Sequence, residues 1–252
     1  MNFHGLKKWL AVASVAGFVG FPGASRATFA EGEEAYLRDD SWGAFLKFAE
    51  MARQGEAASQ AMVGRMYFLG LGAPRDFRAA AISYEKAANQ GHAAAQFQLA
   101  KLYANGVGVK QDQVRAAQWM EKSADQGVLW AMVGIGQMYQ DGSGVTQDAV
   151  QALKWMSLAA ASTESAETAE TIRLAKKAKA ELGASLTAER VQESQTLARQ
   201  WSAAKRVRDA QWQKPIYRPL DVQAPAVKPA DAADAKPDPN ATLTRDYFPQ
   251  SK

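Results

Sequence analysis

A repeat of 36 residues runs through the middle of the chain. Four aspartates and two sets of four alanines keep this spacing: Asp40, Asp76, Asp112 and Asp148; Ala44, Ala80, Ala116 and Ala152; Ala52, Ala88, Ala124 and Ala160. Three Gly-x-Gly pairs keep it as well: Gly70 and Gly72, Gly106 and Gly108, Gly142 and Gly144. A fixed period of about 20–50 residues is typical of stacked units that present an extended binding surface. The repeat therefore favours a binding function over catalysis.

The clearest copy, Gly91 to Gln126, predicts two helices joined by a turn. Its first half, Ala93 to Ala104, lacks glycine and proline and has apolar residues at helical spacing: Ala95, Leu99, Leu102 and Tyr103. Gly106 follows, and a glycine there can take the left-handed conformation that ends a helix. Asp112 is then placed to cap a second helix from about Gln113 to Asp125. The apolar members of that helix are Val114, Ala117, Trp119, Met120 and Ala124.

Apolar residues of fixed size also recur at the repeat period. Small ones occupy positions where two helices have to come close, at Ala95, Ala100, Ala116 and Ala124. Larger ones form three series: Tyr67, Tyr103 and Tyr139; Val63, Leu99 and Ile135; Trp119 and Trp155. Residues that recur with the repeat are expected to fill the space between layers. We therefore interpret these aromatic residues as core and not as a cofactor site.

These turns, caps and core positions together resemble the SEL-one-like repeat, which is related to the tetratricopeptide repeat. The middle copy carries the pattern as Gly91, Ala93, Ala95, Leu99, Tyr103, Gly106, Gly108, Val109, Asp112, Ala116, Trp119 and Ala124. Two more full copies span Gly55–Gln90 and Gly127–Ser162, after a half-repeat at about Asp40–Gln54. Three packing positions depart from the pattern: Ser83, Leu129 and Ser123. The resemblance implies an all-α fold, a right-handed α/α solenoid of antiparallel helix pairs closed by atypical capping helices.

The first residues of the chain have the pattern of a secretory signal. Lys7 and Lys8 precede an uncharged apolar run from Trp9 to Phe21, and small residues around Ala27 and Ala30 offer two cleavage sites. The run is shorter than the roughly 20 residues that a membrane-spanning helix needs. Residues 1–30 are therefore predicted to be a cleavable signal peptide.

The end of the chain also departs from the repeat. A longer helix is predicted from Glu164 to Leu182 and is expected to end at Gly183, after which Thr187 can cap a last helix. The apolar members of that last helix are Val191, Leu197, Ala198, Trp201 and Ala204. Seven of the nine prolines lie between Pro215 and Pro249, which predicts a disordered tail. The domain order is thus a capping half-repeat (31–54), three full repeats (55–162), capping helices (163–212) and the tail (213–252).

Composition excludes several kinds of site. The chain has no cysteine, and His92 is the histidine that remains once the leader is removed. No disulfide framework, structural zinc site or Cys–His catalytic pair can be built, and no cofactor or metal is expected. Loss of Lys7, Lys8 and Arg26 lowers the formal net charge from +4 to +1, which removes the support for nucleic-acid binding. The Gly-x-Gly pairs follow helices, so we interpret them as turns and not as phosphate loops.

The first helices of the repeats supply the candidate binding residues, because these helices line a concave groove in solenoids of this type. Positions that packing does not require include Met62, Arg65, Gln98, Lys101, Trp130 and Gln137. Trp130 occupies the register held by Ala58 and Ala94, and Gly134 leaves space one turn on. Trp130 is either a binding anchor or a filler against the helix predicted at 164–182. Arg65 and Lys101 would suit an acidic segment of a partner.

We therefore expect an exported, non-enzymatic scaffold that binds a protein or peptide, located in the periplasm or, as the second choice, secreted. The resemblance implies envelope assembly, exopolysaccharide secretion or restraint of a sensor kinase as settings. One alternative is a cell-wall or β-lactam-acting enzyme, or a peptidoglycan or glycan binder, which would need converging carboxylates. Another is a structural or pole-organising protein. It would use a weak contact between an anionic surface and the segment Arg173–Arg218, which has eleven basic and four acidic residues.

Overall fold

The computed structural model describes residues 28–163, 165 and 168–211, with residues 203–211 described as backbone alone. This part of the chain forms ten α-helices and no strand. The helices are α1 (Phe29–Leu37), α2 (Ser41–Arg53), α3 (Ala57–Leu69), α4 (Phe77–Asn89), α5 (Ala93–Asn105), α6 (Gln113–Asp125), α7 (Leu129–Asp141), α8 (Ala149–Ala160), α9 (Ala169–Ser185) and α10 (Ala188–Gln211). The predicted signal peptide, apart from its last residues, and the predicted tail lie outside the described residues.

The helices stack in the order of the chain. Each helix from α1 to α8 packs against the helix that follows it, and α10 packs back against α8. Short turns join the helices of each pair, as expected of antiparallel neighbours. The repeats consist of α3 with α4, α5 with α6, and α7 with α8. This confirms the predicted all-α solenoid of helix pairs with 36-residue repeats.

The recurring aspartates cap the second helix of each pair. Asp40, Asp76 and Asp112 accept hydrogen bonds from the backbone N–H groups of Gly43, Ala79 and Arg115, at 2.8–3.0 Å. Asp148 accepts from two backbone N–H groups of α8, those of Val150 and Gln151. Each cap satisfies donors that a helix N-terminus leaves without an intrahelical partner. The predicted role of these aspartates is confirmed.

The two glycines of each Gly-x-Gly turn have different roles. Gly106 ends α5 in the left-handed conformation, with φ of 68°, as predicted. Gly108 also has a positive φ, but its backbone lies against the start of the second helix of the preceding repeat. A Cβ atom built on Gly108 would lie 2.1 Å from the carbonyl oxygen of Phe77. The same approach recurs one repeat earlier and one repeat later: Gly72 to Ser41, and Gly144 to Gln113. The second glycine therefore sets the distance between successive repeats.

Most of the predicted packing positions are buried in the core or packed against it, and Val114 is a clear exception. Ala95, Leu99, Ala116 and Ala124 are at most 1% exposed, and the largest fully buried side chain is Trp155. Val114 was expected among the apolar packing residues of α6, but it is 55% exposed. It lies in the first turn of α6 on the side turned away from the neighbouring helices. Helical spacing alone does not show where the apolar stripe ends.

The C-terminal helices cover the last repeat. The prediction that Gly183 ends the long helix is wrong, because α9 begins at Ala169 and continues through Gly183 to Ser185. A Cβ atom at Gly183 would meet no atom within 4 Å, so no close packing requires the helix to end there. Thr187 caps α10 as predicted, with its hydroxyl oxygen accepting from the backbone N–H of Arg190 at 3.5 Å.

Trp201 fixes α10 onto the last repeat. Its indole N–H donates to the Asp125 carboxylate at 3.0 Å, and its ring packs edge-on against Trp155 with centroids 5.9 Å apart. These contacts join α10 to the C-terminal end of α6 and to the core of α8. Such a covering of the final repeat is what an open-ended stack needs.

The N-terminal unit contains one helix more than the leading half-repeat. Thr28 caps α1, and Phe29 packs its ring 5.2 Å from that of Phe48 in α2. Gly32 gives the Phe48 ring room, because a Cβ there would lie 2.7 Å from it. Among the helices that the structure describes, none is long and apolar enough to cross a bilayer.

Candidate functional site

The first helices of the three repeats share a recessed surface, here called the groove. Its larger cavity has a volume of about 370 Å³ and lies between α3, α5 and α7. Four of the six predicted binding residues line this cavity: Met62, Arg65, Gln98 and Trp130. The cavity has a size that suits several side chains of a bound segment.

A smaller recess of about 10 Å³, roughly the room that one water molecule needs, shares Trp130 with this cavity. Lys101 and Gln137, the two remaining predicted residues, line it together with Phe97, Met120 and Gly134. Phe97 and Trp130 line both recesses and form the wall between them. The structure thus brings all six predicted residues together on one continuous surface.

The six residues do not contribute equally to the groove. Met62 is 3% exposed and belongs to the core around Phe48 and Met66, so it forms the floor of the larger cavity. Trp130 is half-buried, and its cavity neighbour on α5 is Phe97. α9 packs mainly against α8 rather than α7. Trp130 is therefore on the groove side of α7, where it lines both recesses.

Gly134 lines the smaller recess beside Trp130, and it has a second role in the core. It was predicted to open space beside Trp130. A Cβ atom at Gly134 would lie 3.0 Å from the sulfur of Met120, which comes from the second helix of the preceding repeat. Gly134 therefore makes room for Met120 in the core. The bottom of the smaller recess is apolar as a result.

Phe97 is a groove residue that the sequence analysis missed. Ala61 and Val133 occupy the same register in the other two repeats. A bulky aromatic residue at a register that elsewhere holds small or medium residues is the signal that pointed to Trp130. Applied to every register of the first helices, that criterion would have found Phe97 as well.

Lys101 is an unusual cation because it is half-buried beside an aromatic ring. Its Nζ lies 5.6 Å from the centroid of Phe97, within the range of a cation–π contact. Burial lowers the pKa of Lys101 below its ordinary value of 10.5, and no neighbouring carboxylate opposes this shift. Within the described part of the chain, no acidic oxygen lies within 4 Å of Nζ. A carboxylate supplied by a bound segment would compensate this desolvated charge.

His92 joins the groove to the helix cap of α5. Its Nδ1 accepts a hydrogen bond from the backbone N–H of Ala95 at 3.2 Å, and the imidazole lines the larger cavity. Burial lowers the pKa of His92 below its ordinary value of 6.5. The neutral ring is the form that can accept at Nδ1. No cluster of His, Asp or Glu that could hold a metal ion occurs among the described residues.

Glutamine side chains join the repeats beside the groove, and the sequence analysis missed them too. Gln96 donates to the carbonyl oxygen of Ala88 at 3.1 Å and accepts from Gln126 at 2.7 Å. In the preceding repeat Gln60 makes the same two contacts, with Ala52 and Gln90. The signal was the 36-residue spacing of these glutamines. Buried amides with all these bonds made help to hold the first helices in register.

Comparisons with known proteins agree with this geometry. The family model of the Sel1 repeat matches residues 57–92, 93–128 and 131–163. The structure is similar to that of c5321, a protective antigen of uropathogenic Escherichia coli strains with an SLR fold. The TM-score is 0.56 at 29% identity over 78% of this chain and 42% of that chain. It is also similar to a Sel1 repeat protein from Oxalobacter formigenes, with a TM-score of 0.51 at 31% identity over 54% of each chain.

This chain thus spans less than half of the first of these structures and about half of the second. No curated protein matches the sequence. Sel1 repeats generally mediate protein–protein interaction and typically serve as non-catalytic scaffolds. Three matched repeats, the shared helix-pair packing and the recurring turn and cap geometry lead to one conclusion: the repeat region of this chain, residues 57–163, consists of Sel1 repeats.

Proposed function

We propose that this protein is a non-catalytic scaffold of the cell envelope that binds a segment of another protein in the groove of α3, α5 and α7. The observation that carries the proposal is the groove itself, where two adjoining recesses meet at Phe97 and Trp130. Half-buried aromatic residues beside polar rims are the usual anchors of protein interfaces. The general role of Sel1 repeats in protein–protein interaction supports the same function.

The chemistry of the groove favours a partner segment that is both apolar and acidic. Arg65 lines the larger recess, Lys101 lines the smaller one, and no carboxylate lines either. A partner carboxylate would be attracted by both cations, and a large apolar side chain would fill the space beside Trp130. Such pairing gives specificity and faster association.

The test is capture of partners from envelope extract with the purified protein as bait. Trp130→Ala and Lys101→Met are the groove variants, and the latter keeps most of the apolar side chain while removing its charge. Ile82→Ala is a matched control, because Ile82 is 46% exposed on α4 and lines neither recess. We expect both groove variants to lose the partner that the unaltered protein and the control retain. Equal recovery with all four proteins would refute the groove proposal.

Export to the periplasm is part of this proposal and has its own test. If the leader is removed after Ala27, the mature chain begins at Thr28 and keeps the cap of α1 and the Phe29–Phe48 contact. Cleavage after Ala30 would remove both. We therefore expect N-terminal sequencing of the periplasmic protein to read Thr28-Phe29-Ala30, and a chain that still begins at Met1 in that fraction would contradict export with cleavage.

A further inference from the structure

Lys101 lies in the groove with no acidic oxygen of the described residues within 4 Å of its Nζ, and the chain itself contains a segment that carries a carboxylate beside aromatic side chains. Asp246 is followed directly by Tyr247 and Phe248, so one carboxylate stands beside two large aromatic side chains. The stretch from Asp231 to Asp246 holds four aspartates against one lysine and one arginine. Its net charge is therefore opposite to that of Arg65 and Lys101.

We propose that the segment Asp246–Phe248 docks in the groove and competes there with the external partner. This inference rests on the proposed function, because it assigns an internal competitor to the same site. An aromatic side chain of this segment enters the larger cavity, beside the Phe97–Trp130 wall. The carboxylate of Asp246 lies near Lys101 and supplies the charge that the groove lacks.

The attachment point of the tail makes this docking feasible. α10 ends at Gln211 and packs against α8, in the same repeat as Trp130. Trp201 holds α10 there through Trp155 and Asp125. About 35 residues connect Gln211 to Asp246. A glycine-rich chain of that length has a root-mean-square span of about 30–35 Å, and a proline-rich one reaches further. Neighbouring helices pack about 10 Å apart, so the groove lies well within that reach.

A tethered competitor raises its own local concentration. For linkers of this kind the effective concentration is on the order of millimolar. A tail that binds the groove weakly in isolation, with a dissociation constant of about 0.1 mM, therefore fills most grooves when attached. An external partner would then bind about tenfold more weakly to the unaltered chain than to a chain whose tail cannot dock.

The experiment uses the full chain and a fluorescein-labelled peptide of residues 240–252, followed by fluorescence polarisation. The peptide is titrated onto the unaltered chain, onto Tyr247→Ala/Phe248→Ala, and onto Tyr217→Ala. Tyr217 is a matched control because it is a tail aromatic outside the docking segment. We expect the double variant to bind the peptide about tenfold more tightly than the other two chains. No binding to the double variant, or equal affinity in all three, would overturn the inference.

A second set of variants locates the site. Adding Trp130→Ala, or separately Lys101→Met, to the double variant is expected to weaken peptide binding at least tenfold, and far-UV circular dichroism confirms that each chain is folded. An Asp246→Asn peptide should bind more weakly, with less dependence on salt. Unchanged binding after both groove substitutions would place the peptide elsewhere and refute groove docking.

The outcome is separable from that of the proposed function. If Lys101→Met loses the captured envelope partner but the peptide does not bind, the scaffold role stands and tail docking is wrong. If the peptide binds through Trp130 and Lys101 while no captured partner depends on them, tail docking stands and the scaffold role is wrong.

Discussion

The second and third repeats use the same register for different purposes. At two equivalent positions the second repeat has polar side chains that form hydrogen bonds, whereas the third repeat has apolar ones. The cap of α5 is His92, while that of α7 is Val128, which makes no side-chain cap. Gln96 makes the amide bridge between repeats, while Met132 at the same register is 3% exposed in the core.

The difference at the amide bridge follows from the partner that each repeat supplies. Gln96 donates to the carbonyl oxygen of Ala88 and accepts from Gln126. In the third repeat Ser162 stands at the position of Gln126, and its hydroxyl donates to the carbonyl oxygen of Leu158 at 3.3 Å. Burial of an unpartnered amide is costly. An apolar Met132 therefore suits a repeat that has no second glutamine to complete the bridge.

The largest expected effect is at Gly108, the second glycine of the Gly-x-Gly turn in the second repeat. Gly108→Ala would place a Cβ 2.1 Å from the Phe77 carbonyl oxygen at a φ of +70°. Left-handed strain of about 1–2 kcal/mol and overpacking of about 1–3 kcal/mol add together, so the free energy of unfolding should fall by about 3 kcal/mol. Urea unfolding followed by circular dichroism measures it.

The control for this substitution lies beyond the repeats. Gly183 is inside α9 with no atom near its Cβ position, so Gly183→Ala should raise the free energy of unfolding by about 0.5–1 kcal/mol. Effects of equal size and sign in the two variants would show that the contact between Gly108 and Phe77 does not limit the spacing of the repeats.

An exchange between the two repeats sharpens the comparison at the glutamine bridge. Gln96→Met copies the residue of the third repeat and leaves Gln126 and the Ala88 carbonyl without this partner. We expect a loss of about 1–2 kcal/mol in the free energy of unfolding. The reverse change, Met132→Gln, buries an amide in the third repeat. Because Ser162, and not a glutamine, stands there at the position equivalent to Gln126, this change should also lower the free energy of unfolding. A neutral Gln96→Met would mean that the bridge adds nothing to stacking.

The smallest expected effect is the pH dependence that His92 adds. Burial lowers its pKa, so the unfolded chain takes up a proton on His92 more readily than the folded chain. The contribution to stability is therefore present above pH 6.5 and is lost as the pH falls below that value. His92→Asn keeps a capping acceptor and removes the titration.

The measurement is the difference in melting temperature between the unaltered chain and His92→Asn at pH 7.5 and at pH 5.5. The unaltered chain should lose more stability than the variant on acidification, by less than about 1 kcal/mol. Val128→Ala in the third repeat serves as the control, because its cap has no titrating side chain. Parallel pH profiles for all three proteins would contradict the role of His92.

Much of the fold follows from local chemistry and was predicted on that basis. The predicted second helix of the middle repeat coincides with α6, since Asp112 and the turn glycines fix its start through backbone hydrogen bonds within a few residues. The end of α9 was mispredicted because Gly183 permits a helix end without requiring one. The exposure of Val114 was missed because a neighbouring helix, and not the spacing, decides which side of α6 is covered.

The groove residues also divide into those that the sequence predicted and those that only the structure shows. The candidate residues were found from breaks in the repeat, and the structure brings them together around two recesses. The roles of Phe97 and Gly134 depend on side chains from neighbouring repeats. Each bridge between glutamines joins two side chains that are 30 residues apart in the chain. These contacts stabilise the protein only when the helices are stacked.

The sequence by itself determined the period, the caps, the turns and the helix pairs, because each depends on backbone conformations and hydrogen bonds that act over a few residues. The tertiary structure alone decided three things: the close approach of Gly108 to Phe77, the burial of the Lys101 ammonium beside Phe97, and the anchoring of α10 on the last repeat by Trp201. These depend on which surfaces meet across repeats. Contacts between repeats determine which groups are buried and lose their solvation, and no local sequence pattern encodes this.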